Sequence, residues 1–374
     1  MPYAEMNRAD LVIKKLSERK NKVLITKDNI PVASAPKALS IQGRALVKKA
    51  ADRIRGARDA GSSVMLTFGA HTIKNGMAPT LIALIKDGWV THLATNGAGI
   101  IHDWEFAFQG MSSEDVRANV HEGQFGIWDE TGYFINLGLI VGAFEGLGYG
   151  ESIGKMISRQ YLEIPDVKDL YAEIDRIKLT HPEQCAAIFD LLSSVELFKL
   201  SAGYLRIPHP YKQYSIQAAA YDLKVPFTGH PMFGHDIIYC HPMNHGAAIG
   251  RTALRDFLCF AESVSGLEKG VYLSVGSAVM SPMIFEKSLS MAQNLALQHG
   301  RRIENHYMLV VDIAEANWDW HRDGEPPVNH AAYYLRYCKT FSRMGGEMDY
   351  LTMDNRDFLL ALYHDLQGGE ERTV

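Results

Sequence analysis

The stretch Val64-Met65-Leu66-Thr67-Phe68-Gly69-Ala70-His71-Thr72 decides how this chain is read. A short apolar run stops at a glycine, turns polar and gives way to helical spacing, the pattern of a buried strand feeding a helix. The same pattern recurs at His92 to Gly97, Val225 to Gly229, Val271 to Gly276, Tyr307 to Asp312 and Asp349 to Asp354. Strands alternating with helices specify an α/β fold with a mostly parallel sheet flanked by helices. In such sheets ligands sit outside the carboxyl ends of the strands. The residues closing each run are therefore the first functional candidates.

Composition narrows the partners. Among 374 residues, 47% are hydrophobic and 22% charged, with a net charge of -5, so nothing suggests a basic face for nucleic acid. A small molecule is the expected partner. Cys185, Cys240, Cys259 and Cys338 stand far apart without a Cys-x-x-Cys spacing, which predicts a reducing, cytoplasmic setting and no thiolate zinc site. Residues Met1 to Asp10 are too polar for a signal peptide. The apolar region Thr131 to Phe144 is too short to span a membrane and reads as a buried, closely packed helix.

Outward from the strands, Asn7 to Lys22 carries Leu11, Val12 and Leu16 among lysines and glutamates and predicts an exposed amphipathic helix. Residues 1–62 are expected to form an N-terminal helical extension that includes a basic helix over Ile41 to Ala60. Residues 63–374 are expected to form a single α/β domain with a helical insertion at about 103–224. Candidate helices within it are Glu151 to Arg159, Val167 to Lys178 and Pro182 to Leu200.

The strand ends are small and polar: Gly69-Ala70-His71-Thr72, Thr95-Asn96-Gly97-Ala98-Gly99, Gly229-His230, Gly276-Ser277-Ala278, Asp312 and Asp354-Asn355. Glycine turns let backbone N–H groups approach a phosphate where a helix begins, although tight turns need glycine without any ligand. Neither the turn at Asn96 nor that at Gly276 fits the Gly-x-Gly-x-x-Gly pattern. His230, His235, Asp236, Cys240, His241 and His245 form the densest cluster of reactive groups, but their spacing matches no standard zinc pattern. Hydrogen bonding or acid–base work is the expected use, with no metal. His102-Asp103 reads either as a ribose-binding pair or as a helix cap, and Trp318-Asp319-Trp320-His321-Arg322-Asp323 as a ligand-gripping or merely anchored loop. No P-loop or His-Glu-x-x-His motif is present.

Over roughly residues 60 to 365 these pieces, in this order, resemble the deoxyhypusine synthase family, NAD-dependent transferases that move the aminobutyl group of spermidine to a lysine. The resemblance is carried by Thr95-Asn96-Gly97-Ala98-Gly99 with Asp103, Val225-Pro226-Phe227 leading to Asp236-Ile237-Ile238-Tyr239, Gly276-Ser277-Ala278-Val279 and Asp354-Asn355. It implies a Rossmann-like sheet and an NAD site drawn from Thr95, Asn96, Gly97, Ala98, Asp103, Gly276, Ser277, Ala278, Asp354 and Asn355, to which the strand-end reading adds His71, Thr72 and Asp312. It also implies a polyamine-type site at Asp236 and a homotetramer whose N-terminal helix packs near a neighbour.

Two departures matter. The family's glycine triplet is followed by Val, Val, Lys, His, His, whereas Gly276-Ser277-Ala278-Val279-Met280-Ser281-Pro282-Met283 lacks the substrate-side histidine. The catalytic lysine of a Trp-Gly-Lys motif falls near Tyr333-Tyr334-Leu335 and is leucine; Lys339 lies four residues on, one helical turn away. Without that amine no imine forms and deoxyhypusine is not the expected product. The expectation is an NAD-binding enzyme that oxidises a small, amine-bearing metabolite, transfers a group from it, or both. Asp236 would hold the cation, His230 or His235 would move protons, and Glu315 and Lys339 would lie near the chemistry. The rivals are a metal-dependent hydrolase using the histidine cluster and a non-catalytic ligand-binding or assembly protein.

Overall fold

A computed structural model describes residues 3–315, 318–320 and 322–368. Its principal sheet has six strands, here β1 (Val64–Phe68), β2 (His92–Asn96), β3 (Phe227–His230), β4 (Val271–Val275), β5 (Tyr307–Asp312) and β6 (Glu347–Thr352). The helices used below are α1 (Ile41–Asp59), α2 (Ala78–Lys86), α3 (Gly97–Gln109), α4 (Asp129–Glu145), α5 (Ile216–Leu223), α6 (Gly246–Ser265), α7 (Met280–Gln298) and α8 (Asn355–Leu366).

All neighbouring strands of the sheet are parallel, and their order across it is β6-β5-β4-β1-β2-β3. Read from the other edge this is 3-2-1-4-5-6, the doubly wound nucleotide-binding order. The α/β, Rossmann-like expectation therefore holds. Its switch point lies between β1 and β4, where chain progression reverses direction.

The register shows why both faces are covered. His92, Met65, Tyr272, Met308 and Met348 align as one row across β2, β1, β4, β5 and β6. Met65, Tyr272, Met308 and Met348 join Phe260 and Val264 of α6 and Phe285 and Leu289 of α7 in one buried core. Because side chains alternate along a strand, Leu66, Leu273 and Leu309 face the opposite way, and they too are wholly buried. Helices α1 and α8 pack on each other, α1 also on β1, β4 and β6, and α8 on β5 and α2. Each buried large apolar side chain contributes about 1.5–3 kcal/mol, which makes this two-sided packing the main stabilising term of the sheet.

By contact density the chain divides into two compact units, one of residues 28–99, 220–230 and 257–374 that contains the sheet, the other of residues 1–27, 100–219 and 231–256. In the second unit α4 is buried along most of its length, as its apolar sequence predicts. Two antiparallel ribbons, Asn21–Leu24 with Met111–Glu114 and Tyr161–Ile164 with Gly203–Arg206, accompany its helices. Among the described residues no helix is long and apolar enough to cross a membrane.

Three sequence expectations are corrected. Asn7 to Lys22 is not an amphipathic helix: it holds short 3-10 turns at Arg8–Asp10 and Leu16–Glu18 before the strand Asn21–Leu24 begins. Tertiary bonds override its helical spacing. The Leu16 amide donates to Glu130 Oε2 at 2.6 Å, and the buried Arg19 guanidinium makes a two-pronged pair with Glu105 at 2.8 and 2.6 Å. Strand β3 starts at Phe227 instead of Val225, because the Val225 amide closes α5 on Ala220 O and Pro226 has no N–H to give. Strand β6 starts at Glu347, two residues before the predicted Asp349, since the edge position tolerates charge: Lys49 pairs with Glu347 and Asp349, each at 2.6 Å.

Candidate functional site

At the switch point the first turn after β1 and the turn after β4 meet backbone to backbone. The Gly69 amide donates to Val275 O at 3.0 Å, and a Cβ on Gly69 would stand 2.1 Å from the Gly276 carbonyl oxygen, so only glycine fits. Gly276 has φ of 58°, a left-handed conformation that again favours glycine. Its amide donates to Val311 O at 2.8 Å, which sets the turn beside the end of β5.

Beyond Gly276 the chain opens. Among the described residues, the amides of Ser277, Ala278, Val279 and Met280 meet no protein acceptor. Gly276, Ala278 and Val279 are exposed, and α7 starts at Met280 with no side-chain cap at Val279. Ser277 turns its hydroxyl to the Ser281 amide at 3.3 Å, steadying the first turn without occupying the other donors. Unpaired N–H groups at the positive end of a 19-residue helix form a ready cradle for an anion.

The remaining strand-end residues divide into open and engaged groups. Asn96 spends Oδ1 on the Gly99 amide at 3.0 Å, leaving its NH2; Thr95 donates to Phe68 O at 2.9 Å, and its hydroxyl lies where a Cβ on Gly99 would be. Gly97 and Ala98 begin α3. Asp312 accepts from the Ala314 amide with Oδ1 at 3.0 Å, and among the described residues its other oxygen has no partner. His71 is exposed, and partial burial and the Lys74 charge hold its pKa below the ordinary value. Thr72 and Asn355 bond each other at 3.2 Å, Asn355 also accepting from Asn75 at 2.9 Å. Asp354 caps α8 through the Arg356 amide and holds the Arg356 guanidinium, both at 2.9 Å, and that pair keeps its carboxyl below the usual range. Its oxygens are occupied within the helix start.

The proposed chemical residues also separate. His230 is buried at the end of β3, its ring edge-on to Phe260 at 5.3 Å and its Nε2 on Thr228 Oγ1 at 2.9 Å. Burial pushes its pKa down to about 3. Glu315 is exposed on the loop after β5. Lys339 is ion-paired with Glu325 at 2.6 Å and lies 4.4 Å from the Tyr333 ring centre, and the Glu325 partner raises its pKa. A lysine held as an ammonium is the wrong state for imine formation. His321 of the tryptophan segment lies outside the described residues.

The other unit contains Asp103, His235 and Asp236. Asp103 is buried and accepts from Ser215 Oγ at 2.6 Å, the Ile216 amide at 3.0 Å and Gln217 Nε2 at 2.9 Å, so it caps α5. Asp103 lies within α3, so it caps no helix of its own but holds the start of α5. His235 is exposed. Asp236 is only partly buried, yet its Oδ2 is enclosed and has no hydrogen-bond partner; the hydroxyls of Tyr149 and Tyr239 are in the same condition. Burial pushes the Asp236 carboxyl up to about 7, and burial first, with the Asp236 charge second, raises both tyrosines. Buried polar atoms are nearly always paired, so an orphan carboxylate oxygen with two orphan tyrosine hydroxyls forms a group suited to a polar ligand. The tyrosines escaped the sequence reading because an aromatic in an apolar helix gives no sign of an unpaired hydroxyl.

The histidine cluster does not converge. His241 accepts from the Met243 amide at 3.0 Å and faces Asp129 at 3.4 Å, while His245 lies 3.8 Å from Asp190. Among the described residues no three His, Cys, Asp or Glu side chains gather closely enough to hold a metal ion, which leaves the metal-hydrolase reading without a ligand set.

No family model matches the sequence, and no curated protein matches it. Solved structures similar to the chain include AgrE in ternary complex with ornithine and NAD+, at 16% identity and a TM-score of 0.44 over 88% of this chain and 34% of that one. A provisionally assigned LOR/SDH protein from Methanococcus maripaludis S2 has 13% identity and a TM-score of 0.44 over 91% and 74% of the two chains. A provisionally assigned deoxyhypusine synthase from Entamoeba histolytica has 9% identity and a TM-score of 0.40 over 87% and 88%. The chain spans about one third of the length of AgrE, 34%.

Proposed function

We propose that this chain is an enzyme that binds NAD at the β1/β4 switch point and oxidises a small amine-bearing metabolite. The observation that carries this reading is the run of acceptor-free amides from Ser277 to Met280 at the start of α7, set at the crevice of a 3-2-1-4-5-6 sheet. The residues fit a dinucleotide at the diphosphate, where these amides would donate to phosphate oxygens. Asp312, whose second oxygen has no partner among the described residues, would accept from a ribose hydroxyl, and the Asn96 amide would donate to another. Bound NAD would supply a hydride acceptor.

The chain's own residues would then handle charge and proton. In the other unit Asp236 offers an ammonium-binding group of its own; an arriving cation would favour its ionised form and draw its pKa down. His230 would accept the proton that amine oxidation releases. Deoxyhypusine formation is not part of the reading, because leucine stands at the family's lysine and Lys339 is committed to Glu325.

The test is calorimetric titration of the purified protein with NAD, repeated on Ala278→Glu, which sets a bulky carboxylate among the free amides. Saturable binding that this substitution abolishes supports the reading, and heat-free titration of a folded protein refutes it.

A further inference from the structure

His230 poses a contradiction that its neighbours resolve. Its burial forbids a charged imidazolium at neutral pH, yet a base must put the proton somewhere. The sheet offers a route. Thr228 shares a face of β3 with His230, two residues apart, and His92 lies on the adjacent β2. Ser263 Oγ bonds His92 Nδ1 at 2.7 Å, His92 Nε2 bonds Thr228 Oγ1 at 2.9 Å, and Thr228 Oγ1 bonds His230 Nε2 at 2.9 Å. His92, Thr228 and His230 are buried, whereas Ser263 on α6 is partly exposed. Among the described residues His230 Nδ1 has no protein partner.

A neutral imidazole has one donor and one acceptor nitrogen, and a hydroxyl has one proton to give. The fully paired chain therefore has two proton arrangements. In one, His230 donates from Nε2 to Thr228, Thr228 to His92 Nε2, and His92 from Nδ1 to Ser263, so His230 Nδ1 is a bare acceptor. In the other, every proton has moved one step: Ser263 donates to His92, His92 to Thr228, Thr228 to His230, and His230 Nδ1 carries a proton.

We propose that Ser263, His92, Thr228 and His230 form a proton relay that lets His230 act as a base without becoming charged. One proton enters at His230 Nδ1, the chain shifts from the first arrangement to the second, and one proton leaves from Ser263 Oγ to solvent. In amine oxidation the carbon loses a hydride to the nicotinamide ring and the nitrogen loses the proton that enters the relay, so atoms and charge balance. A reducing step, or proton return from solvent, resets the chain in the opposite sense. Thr228, His92 and Ser263 are positioning residues acting through His230. The relay deepens the oxidoreductase reading and rests on it for its use, but its proton order is a property of the protein alone.

The test is nitrogen NMR of protein labelled at histidine, without cofactor or substrate, so failure to bind NAD does not affect it. The relay predicts that His92 and His230 are both neutral at pH 7 with opposite tautomers, one bearing hydrogen on Nδ1 and the other on Nε2. Ser263→Ala, at the exposed end, shifts the tautomer balance of His230, which it does not touch; Thr228→Val abolishes that response and Thr228→Ser preserves it. Matching tautomers, an imidazolium at either residue, or a His230 signal indifferent to Ser263→Ala would overturn the relay. The mild Ser263 and Thr228→Ser changes keep the test decisive if Thr228→Val does not fold.

Discussion

Asp236→Asn is expected to make this protein more stable, and increasingly so as pH rises. The folded chain holds the Asp236 carboxyl at about 7 against an ordinary value of 3.8, with burial as the cause. A carboxyl raised on folding keeps its proton while the unfolded chain releases one, so its ionisation opposes folding as pH rises. Below about pH 3 both states are protonated and the penalty is absent; it grows between about pH 3 and 7 and is complete by about pH 8. A rise from 3.8 to about 7, at about 1.4 kcal/mol per unit, is roughly 4 kcal/mol, a ceiling lowered by the residue's remaining exposure. Asparagine keeps the shape and carries no charge, so it removes the cost of burying an ionised carboxyl. Urea denaturation of both proteins at pH 4.5 and pH 8 reads the effect: the variant ahead by about 1 kcal/mol at the lower pH and by a few kcal/mol at the higher. A variant destabilised equally at both values would refute the account of a carboxylate left unpaired by design of the site. Stability given up at a ligand group is a familiar trade, and here the same substitution is expected to weaken amine binding.

Gly69→Ala drives a methyl group to within 2.1 Å of the Gly276 carbonyl, and a loss of roughly 1–3 kcal/mol or more is expected in chemical denaturation. Asp354→Ala removes the cap of α8 and is expected to cost about 1 kcal/mol, most of it recovered in Asp354→Asn. Lys339→Met is expected to leave the thermal midpoint nearly unchanged in a thermal-shift assay, because an ion pair this close to solvent adds little stability.

The sheet was legible because burial on both faces leaves continuous apolar runs that end where solvent and ligand begin. Val64–Phe68, Val271–Val275 and Tyr307–Asp312 fall where the sequence places them, and Ile41–Asp59 does so for the basic helix. The errors lie where tertiary bonds outweigh local pattern. Leu11, Val12 and Leu16 suggest a helix face, but only Leu16 is buried among them, and Arg19 is drawn to Glu105 in an extended chain. At the site, glycine turns marked the β1 and β4 ends correctly as backbone features. Whether a carboxylate is spent was invisible: Asp103 and Asp354 serve helix starts, while Asp312 has an oxygen without a partner among the described residues. The period of two in Phe227-Thr228-Gly229-His230 did contain the pairing of Thr228 with His230, whereas the third partner, His92, comes from a strand distant in sequence and needed the register.

The most direct test of the central claim is NAD titration of the purified chain by calorimetry with a parallel thermal shift. A ligand that binds the folded state alone adds about 2.7 kcal/mol of stability at one hundred times its dissociation constant, so binding must also raise the midpoint. The account predicts one saturable site per chain, a raised midpoint, and loss of both in Ala278→Glu with the fold intact. A folded parent protein giving neither heat nor shift, or an Ala278→Glu variant that binds as well as the parent, would contradict it.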